Sequence, residues 1–172
     1  MSSIAPPCHT RTSQTTDDWI TPKYIIDRLG PFDLDPCESD HQPWPCADRG
    51  YRLGRSESGL MLPWHGFWYL NPPYGKSLID WLARATLFPN GIAFVFARTE
   101  TKAFFRYVWP CASALLFVRG RVTFHYPHGG SPKAGHNSVG PSVAIVYGGL
   151  ARQRLMTCAD LGAVVTIASR VP

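Results

Sequence analysis

Hydrophobic positions along this chain fall into short continuous runs, which polar, proline-rich and glycine-rich segments separate. Runs of about four to eight apolar residues bounded by turn-forming residues are typical of strands that are buried on both faces of a sheet. We predict two such strands at residues 67–70 and 92–97. Further strands are predicted at residues 32–35, 114–118 and 142–147.

Other segments carry their apolar residues at helical spacing, which indicates helices that bury one face. Residues 76–88 are the clearest case. The apolar stripe of this segment consists of Leu78, Ile79, Leu82 and Ala85. Residues 23–29 and 101–109 are also predicted to be helical, and residues 152–167 to form a helix followed by a short strand. Residues 36–58 show neither pattern and are predicted to form a long irregular loop.

Strands that alternate with helices predict an α/β fold with a largely parallel sheet. No helical pattern joins the strands at residues 114–118 and 142–147, so we expect an antiparallel hairpin at one edge of that sheet. Thr21-Pro22 predicts a helix start, with a hydroxyl N-cap and proline at the first helical position. The length of 172 residues fits one domain, which we place at residues 17–172 after a flexible polar leader, residues 1–16.

The composition of the chain limits the kinds of partner that we expect for this domain. The formal charge of +5 suits an anionic partner such as nucleic acid. No apolar stretch approaches the roughly 20 residues that span a bilayer, and the polar N-terminus lacks the pattern of a signal peptide. We therefore expect a cytoplasmic protein without a membrane partner. The odd count of five cysteines, at spacings unlike those of zinc sites, predicts reduced thiols and no metal.

The segment Asn71-Pro72-Pro73-Tyr74 follows a predicted buried strand and carries the strongest chemical signal. An exocyclic amino group on an aromatic ring is a poor nucleophile because its lone pair is delocalised. The Asn71 side-chain oxygen and the Pro72 carbonyl can accept hydrogen bonds from its two N–H groups and increase the electron density on its nitrogen. Prolines fix φ and remove backbone donors, so these acceptors are positioned before the substrate arrives. Tyr74 can stack on the ring.

Asp33 and Asp35 lie at the end of another predicted strand, residues 32–35. Ligands of open α/β sheets bind at the carboxyl ends of the strands, so we expect both carboxylates to face the same crevice as Asn71. A carboxylate there can bind an ammonium group or ribose hydroxyls. The alternative is that these aspartates only form a turn before Pro36.

The motifs occur in an order that resembles the phage-type DNA N6-adenine methyltransferases. The matching elements are Trp19-x-Thr21-Pro22, Phe32-Asp33-Leu34-Asp35-Pro36, Gly59-Leu60 with Trp64, Asn71-Pro72-Pro73-Tyr74-Gly75, and Gly120-Arg121 with Phe124. The resemblance covers residues 17–148 and implies a Rossmann-like methyltransferase fold of reduced size. It also implies transfer of a methyl group from S-adenosylmethionine to N6 of a flipped adenine in DNA.

The resemblance implies roles for particular residues. The catalytic residues would be Asn71, Pro72, Pro73 and Tyr74. The residues that contact the methyl donor would be Trp19, Thr21, Pro22, Asp33, Asp35, Pro36, Glu57 and Asn71. We expect Lys76, Arg119, Arg121 and Lys133 to contact DNA. The expected protein is a monomer or weak dimer, encoded by a phage or prophage, with a role in restriction-modification or regulation.

Two departures from the family pattern concern the donor. Ser58 stands where many relatives carry aspartate, and Glu57 is its possible substitute. Glu38-Ser39-Asp40 replaces the glycine-rich turn of larger methyltransferases. The alternatives are a methyltransferase for another planar nitrogen, namely protein glutamine, RNA adenine or cytosine N4, and an inactive relative that only binds DNA.

Overall fold

A computed structural model describes residues 19–52, 58–126 and 140–168 of the chain. The expected leader, residues 1–16, lies outside the described residues. The strands are β1 (Leu34–Glu38), β2 (Arg49–Arg52), β3 (Trp68–Leu70), β4 (Gly91–Phe96), β5 (Ala114–Val118), β6 (Ser142–Tyr147) and β7 (Gly162–Thr166). The α-helices are α1 (Lys23–Leu29), α2 (Leu78–Ala85) and α3 (Gly149–Met156). A π-helical turn spans Phe104–Val108, and a 3-10 turn spans Ala159–Leu161.

Within the described residues the strands form one mixed sheet in the order β2-β1-β3-β4-β6-β5-β7. Strands β2, β1, β3 and β4 are parallel, whereas β6 is antiparallel to both β4 and β5, and β7 is antiparallel to β5. We call the edge at which β1 to β4 end the carboxyl edge, and the opposite one the amino edge. This α/β architecture is compatible with a Rossmann-like fold.

Helices cover both faces of the sheet. Ile25, Ile26 and Leu29 of α1 pack with Tyr69 and Phe94 on one side, which we call the α1 face. On the α2 face, the core contains buried residues of α2 and of the π-helical turn. These residues are Trp81, Leu82, Ala85, Phe104 and Val108. The central strands β4 and β6 are buried along their whole length, as their continuous apolar runs predict.

Two strand predictions were wrong. The hairpin of β5 and β6 exists, but it does not form an edge, because β6 inserts between β4 and β5 and β7 pairs on the outer side of β5. The loop predicted at residues 36–58 includes the end of β1 and the strand β2. Strand β2, with the sequence Arg-Gly-Tyr-Arg, is mostly exposed and carries no apolar pattern. Its backbone pairing with β1 forms it.

Helix bounds also differ from the predictions. Helix α2 spans Leu78–Ala85, shorter than the predicted residues 76–88. Pro22 occupies the N-cap position of α1 and no side chain caps that helix. The Thr21 hydroxyl instead accepts a hydrogen bond from the Tyr69 phenol at 2.6 Å. Thr21 is therefore part of the buried core and not a helix cap.

None of the helices in the described part of the chain is both long and apolar enough to cross a bilayer.

Gly91 lies directly against Trp68 of the neighbouring strand, and a Cβ at this position would overlap the indole ring. Trp68 is 1% exposed and its Nε1 donates to the Phe88 carbonyl. Movement of the ring would therefore break this hydrogen bond and disturb its packing. We expect Gly91→Ala to lower the free energy of unfolding by about 1–3 kcal/mol in urea denaturation. Gly149→Ala is the control, since nothing lies within 4 Å of the added methyl. Equal stabilities of the two variants would contradict this packing.

Candidate active site

Asn71 directly follows β3, at the carboxyl edge of the sheet. Tyr69 packs on the α1 face, so the alternation of side chains along the strand directs Asn71 toward the same face. The side-chain Nδ2 of Asn71 donates a hydrogen bond to the Trp19 carbonyl. A carbonyl can only accept, so this bond fixes the orientation of the amide and directs Oδ1 away from Trp19.

The segment that carries Trp19 is held in place by backbone pairing. Ile20 and His125 exchange two hydrogen bonds of 3.0 and 2.9 Å. The Trp19 ring packs against Tyr126, with ring centroids 5.3 Å apart. The N-terminal segment is thereby tied to the chain that follows β5, and both lie beside Asn71.

The Asn71 Oδ1 atom is buried and accepts no hydrogen bond from any of the described residues. Leaving a buried acceptor unpaired costs about 1–3 kcal/mol. Native proteins contain few such atoms, and each one requires a reason. A ligand that donates a hydrogen bond to Asn71 Oδ1 would satisfy this acceptor.

Tyr74 stacks on Phe96, with ring centroids 4.3 Å apart and planes inclined by 20°. Its hydroxyl is buried and makes no well-formed hydrogen bond within the described residues. Burial raises the pKa of the Tyr74 phenol, and the nearby Phe96 backbone opposes this only in part. Phe96 therefore occupies one face of the ring that was expected to stack on the substrate.

Asp35 supplies a buried carboxylate on the α1 side of the sheet. It is 4% exposed, and its Oδ1 accepts from the Cys37 N–H at 2.9 Å. Burial raises the pKa of the Tyr69 phenol, and the neighbouring Cys46 and Asp35 raise it further, while the Thr21 hydrogen bond opposes them. Burial also raises the pKa of the Cys46 thiol, and the negative charge of Asp35 raises it further. Both groups are therefore neutral at pH 7.

The expected position of Asp33 was wrong. Asp33 precedes β1 and is level with Phe67, whose N–H donates to Asp33 Oδ2 at 2.6 Å. It therefore lies at the amino edge, about 13 Å along the strand direction from Asn71. Asp35 is the second residue of β1 and not its end, because the strand continues to Glu38. Leu34 of β1 is level with Trp68 of β3, so Asp35 is level with Tyr69 and lies closer to Asn71 than Asp33 does.

The remaining residues expected at the donor are mostly buried. Pro22 and Pro36 are buried, and Trp19 is half-buried. Gly59 packs so closely on the Pro36 carbonyl that a Cβ would overlap it, which explains the glycine of the Gly59-Leu60 motif. The Trp64 Nε1 donates to the Gly59 carbonyl at 2.7 Å and holds this turn. Glu57 lies outside the described residues.

Three of the four cations expected to contact DNA belong to the described residues, and all three are exposed. Lys76 follows the Asn71 turn, while Arg119 and Arg121 follow β5, which runs in the direction of β4. All three therefore lie beyond the carboxyl edge. Gly120 between the two arginines has φ +76, a conformation that glycine adopts without strain. Lys133 lies outside the described residues.

In the described ranges no group of three His, Cys, Asp or Glu side chains could hold a metal ion. The cysteines described there, Cys37, Cys46, Cys111 and Cys158, are free thiols.

Comparisons of the chain with protein-family models, curated proteins and solved structures give no match. The chemistry of the site is therefore inferred from its own residues.

Sequence patterns missed three residues of this site. Tyr69 and Ser142 each lie in an apolar strand, where their hydroxyls have no distinguishing signal. Trp44 lies in the segment predicted to be irregular, yet its Nε1 donates to the Thr21 carbonyl at 3.2 Å, and its ring packs against His125. These contacts join segments far apart in the chain, which local patterns do not report.

The Thr21–Tyr69 hydrogen bond generates a stability prediction. Thr21→Val and Tyr69→Phe each leave one buried hydroxyl unpaired, so each should lower the free energy of unfolding by about 1–3 kcal/mol. The double variant removes both polar groups and should lose less than the sum, with a coupling energy of about 0.5–1.5 kcal/mol in urea denaturation. Strictly additive losses would show that the two hydroxyls do not interact.

Proposed function

We propose that this protein transfers a methyl group from S-adenosylmethionine to N6 of adenine in DNA. One observation carries the proposal, the buried and unpartnered Oδ1 of Asn71, whose orientation the Trp19 carbonyl fixes. This atom can accept a hydrogen bond from an amino group without any rearrangement of the protein. The sequence Asn71-Pro72-Pro73-Tyr74 and its place after a buried strand support the same chemistry.

The role of the site is to make a weak nucleophile reactive. Asn71 Oδ1 and the Pro72 carbonyl accept hydrogen bonds from the two N6 N–H groups, which concentrates the lone pair on nitrogen. Proline at positions 72 and 73 holds the direction of the carbonyl. The sulfonium of the donor supplies an electrophilic methyl group. N6 attacks the methyl carbon, so the N–C bond forms as the S–CH3 bond breaks and S-adenosylhomocysteine leaves as a neutral thioether. The methylated N6 then loses one proton to water.

Asp35 fits the donor side of the site best. Its carboxylate is buried on the strand next to β3, on the side of the sheet to which Asn71 also belongs. Trp19 contacts Asn71 in the same region. In this proposal Asp35 binds the ammonium or ribose hydroxyls of the donor, whereas Asp33 has a structural role at the amino edge.

A base in duplex DNA must leave the stack to reach Asn71, which costs a few kcal/mol. Contacts to the phosphates offset part of this cost and make binding depend on salt. The exposed side chains of Lys76, Arg119 and Arg121 beyond the carboxyl edge suit this purpose. The formal charge of +5 is consistent with an anionic partner.

Asn71→Ala removes the acceptor and should lower the rate of methyl transfer about 10²–10³-fold, as expected for one preorganised polar group. The measurement is the formation of N6-methyladenine in unmethylated genomic DNA incubated with labelled S-adenosylmethionine. Asn90→Ala is the matched control, because Asn90 lies at the amino edge and donates to the Gly66 carbonyl. It should leave the rate unchanged.

Other products would reject the proposal in distinguishable ways. Label found only in cytosine, RNA or protein glutamine would assign another planar nitrogen as the acceptor. DNA binding without any affinity for S-adenosylmethionine or S-adenosylhomocysteine in calorimetry would indicate an inactive relative.

Arg119→Ala should weaken DNA binding equally for unrelated sequences and reduce the slope of log K against log salt by about 0.9. Fluorescence anisotropy of a labelled duplex across a salt series measures both quantities. Arg152→Ala is the control, because Arg152 is an exposed residue of α3, a helix that begins at the amino edge. Equal effects of the two variants would contradict a DNA contact at Arg119.

A further inference from the structure

The carboxyl edge holds another buried hydroxyl, that of Ser142. Ser142 is the first residue of β6 and is 1% exposed, and its Oγ has no hydrogen-bond partner among the described residues. It is paired with Phe96 across the antiparallel ladder. Directly opposed residues project to the same face, and Phe96 belongs to the core of the α1 face. The Ser142 side chain therefore lies on the face that also holds Asn71.

Unpartnered buried polar atoms are concentrated in this corner. Within the described residues there are four, and three of them are Asn71 Oδ1, the Tyr74 hydroxyl and Ser142 Oγ. Phe96 connects two of these groups, because Tyr74 stacks on its ring and Ser142 is its cross-strand partner. The fourth, Arg84 Nε, belongs to α2 on the other side of the sheet. Buried polar atoms without partners are rare in proteins, so this concentration points to a polar ligand in this corner.

We propose that Ser142 is a specificity-determining residue of the acceptor site, where its hydroxyl forms a hydrogen bond with a ring nitrogen of the base. This inference rests on the proposed function and deepens it. A primary amide such as glutamine offers one amino group and one carbonyl oxygen. An aminopurine offers an amino group flanked by ring nitrogens, and thus a partner for Asn71 Oδ1 and for hydroxyl donors.

The strand order supports the assignment of Ser142 to the acceptor and not to the donor. Asp35 lies on β1, on one side of β3, whereas Ser142 lies on β6, beyond β4 on the other side. Asn71 at the end of β3 is between them. A ligand that extends from Asn71 away from β1 approaches Ser142 and leaves the Asp35 side to the methyl donor.

Ser142→Ala should separate binding from stability. The hydroxyl makes no hydrogen bond in the folded protein, so its removal leaves the melting temperature unchanged or raises it. A site that hydrogen-bonds its substrate loses affinity when one partner is removed, here by about 5- to 150-fold. Ser113→Ala is the control, because Ser113 Oγ donates to the Val146 and Gly148 carbonyls. This variant should have a lower melting temperature but an unchanged affinity for the base.

The test is calorimetric binding of 2′-deoxyadenosine to the full-length protein, with S-adenosylhomocysteine saturating the donor site. We expect Ser142→Ala to bind more weakly than the wild type. Compared with 2′-deoxyadenosine, either the 1-deaza or the 7-deaza analogue should bind the wild type more weakly but bind Ser142→Ala equally well. The analogue that shows this difference identifies the ring nitrogen that Ser142 contacts.

Equal affinities of wild type and Ser142→Ala for 2′-deoxyadenosine, or no binding by either, would overturn the inference. A preference among the deaza analogues that persists in Ser142→Ala would also overturn it. Failure of the proposed function would give a different result. In that case nucleoside binding would depend on Ser142, but adenine in DNA would not be methylated.

Discussion

The candidate site depends on one hydrogen bond between distant parts of the chain, from the Asn71 side-chain nitrogen to the Trp19 carbonyl. The two ends of a carboxamide have nearly the same shape but opposite hydrogen-bonding capacity, so this contact decides which atom the crevice presents. It presents the oxygen. The segment that supplies Trp19 is itself fixed by the Ile20–His125 pairing and the Thr21–Tyr69 hydrogen bond. These contacts together prepare an acceptor before any ligand binds.

The mixed sheet explains why the other polar groups gather around this acceptor. Parallel strands β1, β3 and β4 direct their carboxyl ends toward one edge, where ligands of such sheets bind. Strand β6 runs the opposite way in the interior of the sheet, so its first residue, and not its last, reaches that edge. A buried hydroxyl thereby lies next to the aromatic pair of Tyr74 and Phe96. The antiparallel strand completes the site with a residue that a wholly parallel sheet would place at the opposite edge.

Local patterns predicted the elements whose burial is uniform. The strand before Asn71 was confirmed, and its side chains alternate between the two cores, with Trp68 and Leu70 on one face and Tyr69 on the other. The exposed strand β2 was missed because its pairing with β1 and its polar contacts, such as the Arg52–Glu38 ion pair, leave no apolar pattern in the sequence. The hairpin of β5 and β6 was misplaced because the order of strands depends on packing between distant segments. Asp33 illustrates the same limit, since β1 begins two residues later and ends three residues later than predicted, which leaves Asp33 at the amino edge.

The identity of the modified base in cellular DNA tests the central claim most directly. Long-read mapping would be applied to DNA from cells that lack other adenine methylation and express either the wild type or Asn71→Ala. An acceptor oxygen that activates adenine N6 predicts N6-methyladenine in the wild-type sample and its absence in the variant. Modified cytosine, or identical maps from the two samples, would contradict the account.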